Sequence, residues 1–412
     1  MITDAGALLI TVVRLQNIDM DADIVIIGAG ATGLFTALDL SLRGLSVVLI
    51  DRQGMLRGTS GRFHGLLHSG ARYATTDKAA AVECRQESST IRRIAGGAVF
   101  DVGGLFVSLE GDDDAFADRF LKGMDDSEIE CKAVDLAELK RAEPALSPKV
   151  RFAASVPDMV VDPFRLFGGV AVLAKAKGAR FLLNHNVTGI DRRKMTVKTD
   201  RGEVSARLLV NAAGPWADKI CAMYGNMVDM MPAIGLMLAY DGRLVDRVIN
   251  RLRPPSDGDI LLPFYGSCIL GTTAQVVEDV DDVHIEDDDV RYLVEEGSVM
   301  VPALRDRKYS RLYWSARPLL KADDARSASR DFQVLDDEDI LTVIGGKLTT
   351  SRLMAEKVSD SACQKLGIKA ECTTKETKIP VLEPAASMRG TIGEEVYGFG
   401  ASFTEVEREA SS

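Results

Sequence analysis

Apolar positions along the chain follow two rhythms. Largely apolar runs, several of them rich in β-branched residues, occupy positions 23–27, 46–50, 208–213 and 341–344. Each reads as a strand covered on both faces. Between the first two runs lies a segment of helical spacing, expected to be amphipathic. Polar helical spacing spans residues 76–94. Asp162 is placed to cap a helix over 163–177, with Pro163 at its first position and Gly178 as its stop. A strand over 180–183 follows. After residue 347, Leu353, Met354, Val358, Ala362 and Leu366 form one stripe that ends at Gly367. Residues 230–273 differ: short strands alternate with turns and no long helix intervenes, as in an antiparallel sheet.

Strand-helix segments therefore occupy the start, middle and end of the chain, with antiparallel segments between them. The layout predicts an α/β nucleotide-binding domain assembled from residues 21–95, 150–225 and 330–370. An α+β domain over 96–149 and 226–329 is inserted into it. The first part of that insert carries a strand at 104–109, an acidic helix and a Pro-bounded turn. Residues 1–20 read as an N-terminal extension and 371–412 as a C-terminal tail. No internal repeat is visible.

Composition narrows the function classes. A net charge of −11 at pH 7 argues against general nucleic-acid binding. The six cysteines, at 84, 131, 221, 268, 363 and 372, form no C-x-x-C pair, and there are four histidines. No metal site or disulfide framework is expected, and a reducing cytoplasm is the natural setting. No apolar run has the length of a bilayer span, so membrane contact, if made, is peripheral. The acidic stretch 279–289 lacks the ligand spacing of a calcium loop and reads as a solvated face.

The chemistry starts at the first strand. Gly28, Gly30 and Gly33 follow it at the spacing G-x-G-x-x-G, and a helix follows them. Gly28 permits the tight turn, Gly30 lets a pyrophosphate approach the backbone, and Gly33 brings helix and strand together. Free N–H groups at the helix start would face the phosphates. Asp51 ends the second strand 18 residues after Gly33, where an acid can hold a ribose hydroxyl. These residues fit NAD or FAD. Two features favour FAD: the glycine- and serine-rich loop over 54–70, with Arg57, Arg62, His64 and His68, and the late Gly345-Gly346-Lys347 turn. A polar loop of that length inside a compact domain is usually functional. The six consecutive βα units of a nicotinamide domain are not seen.

Three segments carry a resemblance: Gly58-Thr-Ser-Gly-Arg-Phe-His-Gly-Leu-Leu-His-Ser-Gly-Ala-Arg72-Tyr73, Ser315-Ala-Arg317-Pro-Leu319, and Gly345-Gly-Lys347-Leu-Thr-Thr350-Ser-Arg352. Weaker agreement runs through Val161-Asp-Pro-Phe-Arg-Leu166, Asn211-Ala-Ala-Gly214 and Leu270-Gly-Thr-Thr273. Together they resemble the FAD-dependent glycerol-3-phosphate dehydrogenases, most closely the anaerobic-type catalytic subunit, over roughly residues 22–375. The resemblance implies a discontinuous Rossmann-like FAD domain with an inserted substrate domain, as in D-amino-acid oxidase and glycerol-3-phosphate dehydrogenase. It implies FAD as cofactor and oxidation of sn-glycerol 3-phosphate to dihydroxyacetone phosphate. Electrons would then pass to a quinone or a partner subunit.

The same resemblance implies cofactor contacts by Gly28, Gly30, Gly33, Asp51, Arg52, Thr59, Ser60, His64, Leu66 and His68. It adds Val187, Ala213, Gly214, Gly346, Lys347, Leu348 and Thr349. Substrate contacts fall to Arg72, Tyr73, Thr272 and Arg317. A phosphate dianion favours planar, permanently charged donors, which fits Arg72 and Arg317. Lys347 has two readings: acceptor of the hydroxyl proton, or a charge that stabilises the reduced flavin together with the helix start at Thr349-Thr350. His68 and, less strongly, His64 are either flavin contacts or structural histidines. His185 and His284 are expected to be exposed.

Two departures stand out. Ile234 occupies a place where related dehydrogenases often put a basic residue near substrate. The chain as given stops before the cysteine-rich domain implied by the anaerobic-type subunits, so no cluster is expected within it. Two rival functions remain: a related oxidase or dehydrogenase of another small hydroxy acid (such as 2-hydroxyglutarate) or amine, and a flavin-carrying electron relay without substrate.

Overall fold

The computed structural model describes residues 21–321 and 331–380. The expected N-terminal extension and most of the expected tail lie outside them. Two large sheets organise the chain. The parallel core of the first runs Arg180–Leu183, β2 (Val47–Asp51), β1 (Ala22–Ile27), Gly202–Asn211 and Ile340–Gly345. Phe332–Asp337 adds antiparallel to its edge. The near half of the long Gly202–Asn211 strand extends beyond the core and pairs with Thr196–Thr199, which pairs with Val187–Asp191.

Helix α1 (Ala31–Leu42) lies at the centre of this layer. Its expected polar face does not exist: nearly every residue is buried, because the helices Pro163–Ala176 and Ser351–Leu366 both pack on it. A helix covered all round must be apolar all round or pair what is not. Asp39, fully buried, is held by Arg43 at 2.8 Å.

The second sheet runs Lys132–Ala133, Val150–Val156, Gly104–Leu109, Val248–Arg251, Ile260–Phe264, Ser267–Gly271, Ala233–Asp241 and Arg311–Arg317. All its pairings are antiparallel except Val248–Arg251 with Gly104–Leu109. Val150–Val156 thus belongs here, although the expected boundary at 150 places it in the nucleotide domain. Its pairing partner is remote in sequence, so periodicity could not assign its sheet. Helix Asp287–Met300 covers this sheet, with Val290, Leu293 and Met300 in its core. The helix consumes the end of the acidic stretch, whose Asp287, Asp288 and Asp289 form its first turn. There they complement the positive end of the helix dipole.

A small third sheet joins Leu66–Leu67, Met159–Val161 and Val99–Phe100. It fastens the later part of the polar loop. The start of the expected tail is also packed: Ile379 is buried and its N–H reaches the carbonyl of Ile94 at 2.9 Å. Among the described residues, no helix is long and apolar enough to cross a membrane.

A candidate dinucleotide and substrate cavity

The glycines shape one end of a long cavity. Gly28 has φ +111°, and a Cβ there would lie 2.4 Å from the carbonyl oxygen of Ala212. A Cβ on Gly33 would lie 1.9 Å from the carbonyl oxygen of Gly28. Gly33 therefore seats α1 against the turn and, unlike the other expected cofactor residues, does not line the cavity. The Ser60 hydroxyl accepts the N–H of Ala31 at 2.9 Å, which ties the polar loop to the helix start. Asp51 accepts the N–H groups of Ala29 and Gln53, each at 2.8 Å. Its carboxylate keeps lone pairs for a further donor.

The cavity has a volume of about 1030 Å³. Ligand pockets commonly measure about 300–1,000 Å³, so this one has room for an extended ligand. Gly28, Gly30, Asp51, Arg52 and Val187 line the end near the first sheet. Thr59, Ser60, His64, Leu66 and His68 line the loop wall, and Ala213 and Gly214 the second strand-to-helix turn. Gly346, Lys347, Leu348 and Thr349 close it, with Arg72, Tyr73, Thr272 and Arg317 on the side of the second sheet.

Arg52 also carries a structural duty. It stacks on Trp216, 4.4 Å from the ring centroid, and pairs with Asp281 at 2.9 Å. Asp281 further accepts from the Trp216 indole and from Lys219. The acidic stretch is a solvated face as expected, and at its front Asp279 and Asp281 also hold specific partners. His185 is half-buried rather than exposed, with Nδ1 2.8 Å from the Leu183 carbonyl, whereas His284 is exposed as expected.

At the far end the cations gather. Arg317 ends its strand and donates to the Thr273 carbonyl at 2.9 Å and to the Thr272 hydroxyl. Gly235 makes room for it: a Cβ there would come within 2.8 Å of the guanidinium. Ile234, next in line, points elsewhere, fully buried with Val280 and Ala316. Arg72 donates to Asn250 at 3.2 Å and lies 3.7 Å from Asp259. The Lys347 ammonium sits 4.6 Å from the Tyr73 ring centroid, and the His68 ring 5.3 Å from the same ring.

Burial, then the charges of Arg72 and Arg317, hold His64 down to about 3. Burial, followed by Lys347, His64 and Arg72, keeps His68 well below the ordinary histidine value. Both rings are neutral in the folded protein at pH values where the unfolded chain would charge them. Their contribution to stability is complete above about 6.5 and is lost as pH falls below it, at up to about 1.4 kcal/mol per pH unit for each. Buried acids act in the opposite sense, since burial raises Asp162 to about 6. The histidine part is therefore read by difference. Between pH 7 and pH 5, denaturant midpoints should fall more steeply for the wild type than for His64→Gln/His68→Asn. Equal slopes would refute it.

The walls also test the cofactor. The glycine cradle leaves no space for a Cβ at Gly28, and Gly30 has only 3.3 Å to the Ser60 hydroxyl. His68 Nδ1 and Thr349 Oγ1 are buried in the wall with no hydrogen-bond partner among the described residues. A flat, polar-edged dinucleotide fits such a groove.

Comparison with known proteins agrees. Residues 23–360 match the family described as FAD dependent oxidoreductase. The chain belongs to that family. Within this FAD-dependent group it is 40% identical over 379 residues to a subunit of the anaerobic glycerol-3-phosphate dehydrogenase of Escherichia coli, covering 87% of this chain and 70% of the relative. It is 38% identical over 395 residues to a subunit of the anaerobic glycerol-3-phosphate dehydrogenase of Haloferax volcanii, covering 89% and 67%. The L-alpha-glycerophosphate oxidase of Mycoplasma pneumoniae, solved with FAD bound, superposes with a TM-score of 0.72 at 19% identity, over 88% of this chain and 99% of that one. The fold is thus that of FAD-dependent oxidoreductases, and FAD is the cofactor.

Proposed function

We propose that the chain oxidises sn-glycerol 3-phosphate to dihydroxyacetone phosphate, with electrons leaving through FAD to a quinone or an electron-accepting partner subunit. The observation that carries the reading is the convergence of Arg72, Arg317 and Lys347 at one end of the dinucleotide cavity. Family membership supports it through relatives that bear this activity in their names. The first domain holds the cofactor, and the substrate contacts are shared: Arg72 and Tyr73 come from the first domain, Thr272 and Arg317 from the second.

Bound FAD would supply a hydride acceptor for the carbon bearing the secondary hydroxyl, and the hydroxyl proton would pass to solvent in the cavity. The chain's own residues do the rest. Gly28, Gly30, Asp51 and Ser60 hold the adenosine and pyrophosphate end. Arg72 and Arg317 bind the phosphate, with Thr272 fixing the Arg317 guanidinium and Tyr73 as a neutral donor. Lys347 supplies positive charge beside the reacting carbon. His64 and His68 stay neutral, so the positive charge at this end of the cavity comes from Arg72, Arg317 and Lys347. Ile234 faces away from the cations, so the basic group often placed there in related dehydrogenases has no counterpart at that position. Any membrane contact by the described residues is peripheral.

The test is anaerobic bleaching of the bound flavin. Glycerol 3-phosphate should bleach it, whereas glycerol and lactate should not. Intact bound FAD that glycerol 3-phosphate leaves oxidised would sink the reading. Bleaching by an amine or another hydroxy acid would point to the related oxidases instead.

A further inference from the structure

Arg72 is held by a buried polar chain that sequence patterns do not reveal. Asp158 is almost fully buried and accepts both the N–H and the hydroxyl of Ser69, each at 2.8 Å. Its second oxygen accepts the Asn250 amide at 3.2 Å. Asn250, fully buried in the strand Val248–Arg251, turns its carbonyl oxygen to Arg72 at 3.2 Å. The amide has one orientation here. Its NH2 must face the carboxylate, so its oxygen must face the guanidinium.

The chain has a space cut for it. A Cβ on Gly104, on the strand paired with Val248–Arg251, would lie 2.7 Å from the Asp158 Cβ and 2.9 Å from its oxygen. Asp259 offers Arg72 a second anchor at 3.7 Å. That carboxylate is shared with Arg253 at 2.8 Å and the N–H of Ser256 at 2.6 Å. Asp259 immediately precedes the strand Ile260–Phe264, and Asn250 pairs with Ile260. Arg72 is thereby fixed to the second sheet, although it belongs to the first domain, in the turn Ala71–Tyr73 that follows the polar loop.

We infer that Asp158 and Asn250 are positioning residues for the reaction: Asp158 sets the amide orientation of Asn250, and Asn250 aims the Arg72 guanidinium into the cavity. The inference rests on the phosphate-binding reading of Arg72. Its distinctive property is directionality. In Asp158→Asn, the new amide's oxygen stays with the two Ser69 donors, so its NH2 faces the NH2 of Asn250. Relief requires Asn250 to flip, which turns a donor toward the donors of Arg72. The double variant Asp158→Asn/Asn250→Asp restores every donor-acceptor match and keeps the net charge. Its new carboxylate accepts from position 158 on one side and from Arg72 on the other.

The experiment uses the purified FAD-loaded protein and stopped-flow flavin reduction by glycerol 3-phosphate. Asp158→Asn should raise the half-saturating substrate concentration about tenfold or more, as expected for losing an aligned charged hydrogen bond, with FAD retained. The double variant should recover most of that loss. Two results would overturn the inference: Asp158→Asn with unchanged substrate dependence, or a double variant no better than the single one. Should Asp158→Asn fail to fold, a folded double variant with near-wild-type substrate dependence supports the inference, and one with weakened dependence refutes it. A wild-type protein that glycerol 3-phosphate does not reduce counts against the functional reading itself.

Discussion

Arg317→Ala is expected to lower flavin reduction by glycerol 3-phosphate about a hundred- to a thousandfold, while FAD stays bound. Truncating one partner of a buried, hydrogen-bonded charge pair costs about 2–5 kcal/mol, and each 1.4 kcal/mol is a factor of ten. Arg317 fits that case. Its strand is paired along its whole length with Ala233 to Ala239, and its guanidinium is fixed by Thr272 and Thr273 over the bare backbone of Gly235. Arg317→Lys should rescue little, because a point charge cannot reproduce the planar fork. Rapid-mixing kinetics on the flavin absorbance would check this. Loss of FAD together with activity would assign Arg317 to the fold instead of the substrate.

The second large effect concerns stability. Arg352 has no exposed surface and donates to both oxygens of Glu87, at 2.7 and 2.6 Å. It also reaches Glu356 at 2.6 Å and the Thr374 hydroxyl at 3.1 Å. One side chain thus joins the helix Lys78–Ile94, the closing helix Ser351–Leu366 and the segment after it. Arg352→Met should cost about 3–5 kcal/mol, because Glu87 is then left charged and buried without its partner. Arg352→Met/Glu87→Met should recover most of that, since an apolar pair of similar volume removes the stranded charge. Denaturant unfolding of the three proteins measures it. A single variant within about 1 kcal/mol of wild type would show that Glu87 finds other partners.

Much of the cavity was legible in the sequence because its parts are local. The glycine turn, Asp51, the 54–70 loop and the Gly345-Gly346-Lys347 turn each announce themselves within a few residues. The cap of Asp162 was equally plain, and its side chain accepts the N–H groups of Phe164 and Arg165. What stayed hidden depends on distant pairing. Asn250, Asp158 and Asp259 look like ordinary polar residues until two strands and a loop bring them to Arg72. Gly235 reads as a strand glycine, and only the register opposite Ser315 shows whose space it leaves. The amphipathic reading of α1 failed because helices from two later parts of the chain cover its outer faces. Val150–Val156 was misassigned for the same reason, as its sheet is chosen by a partner some forty residues earlier.

The order of strands in the first sheet also bears on how the protein is made. Ala22–Ile27 emerges from the ribosome first, yet it lies between Val47–Asp51 and Gly202–Asn211, and the sheet gains Ile340–Gly345 only near the end. Synthesis proceeds at about 5–20 residues per second, so the first strand waits of the order of tens of seconds for its later neighbours. Until the last of them arrives, Lys347 and Thr349 cannot close the cavity. A nascent chain stalled before residue 340 should therefore fail to retain flavin, however well its glycine turn has formed.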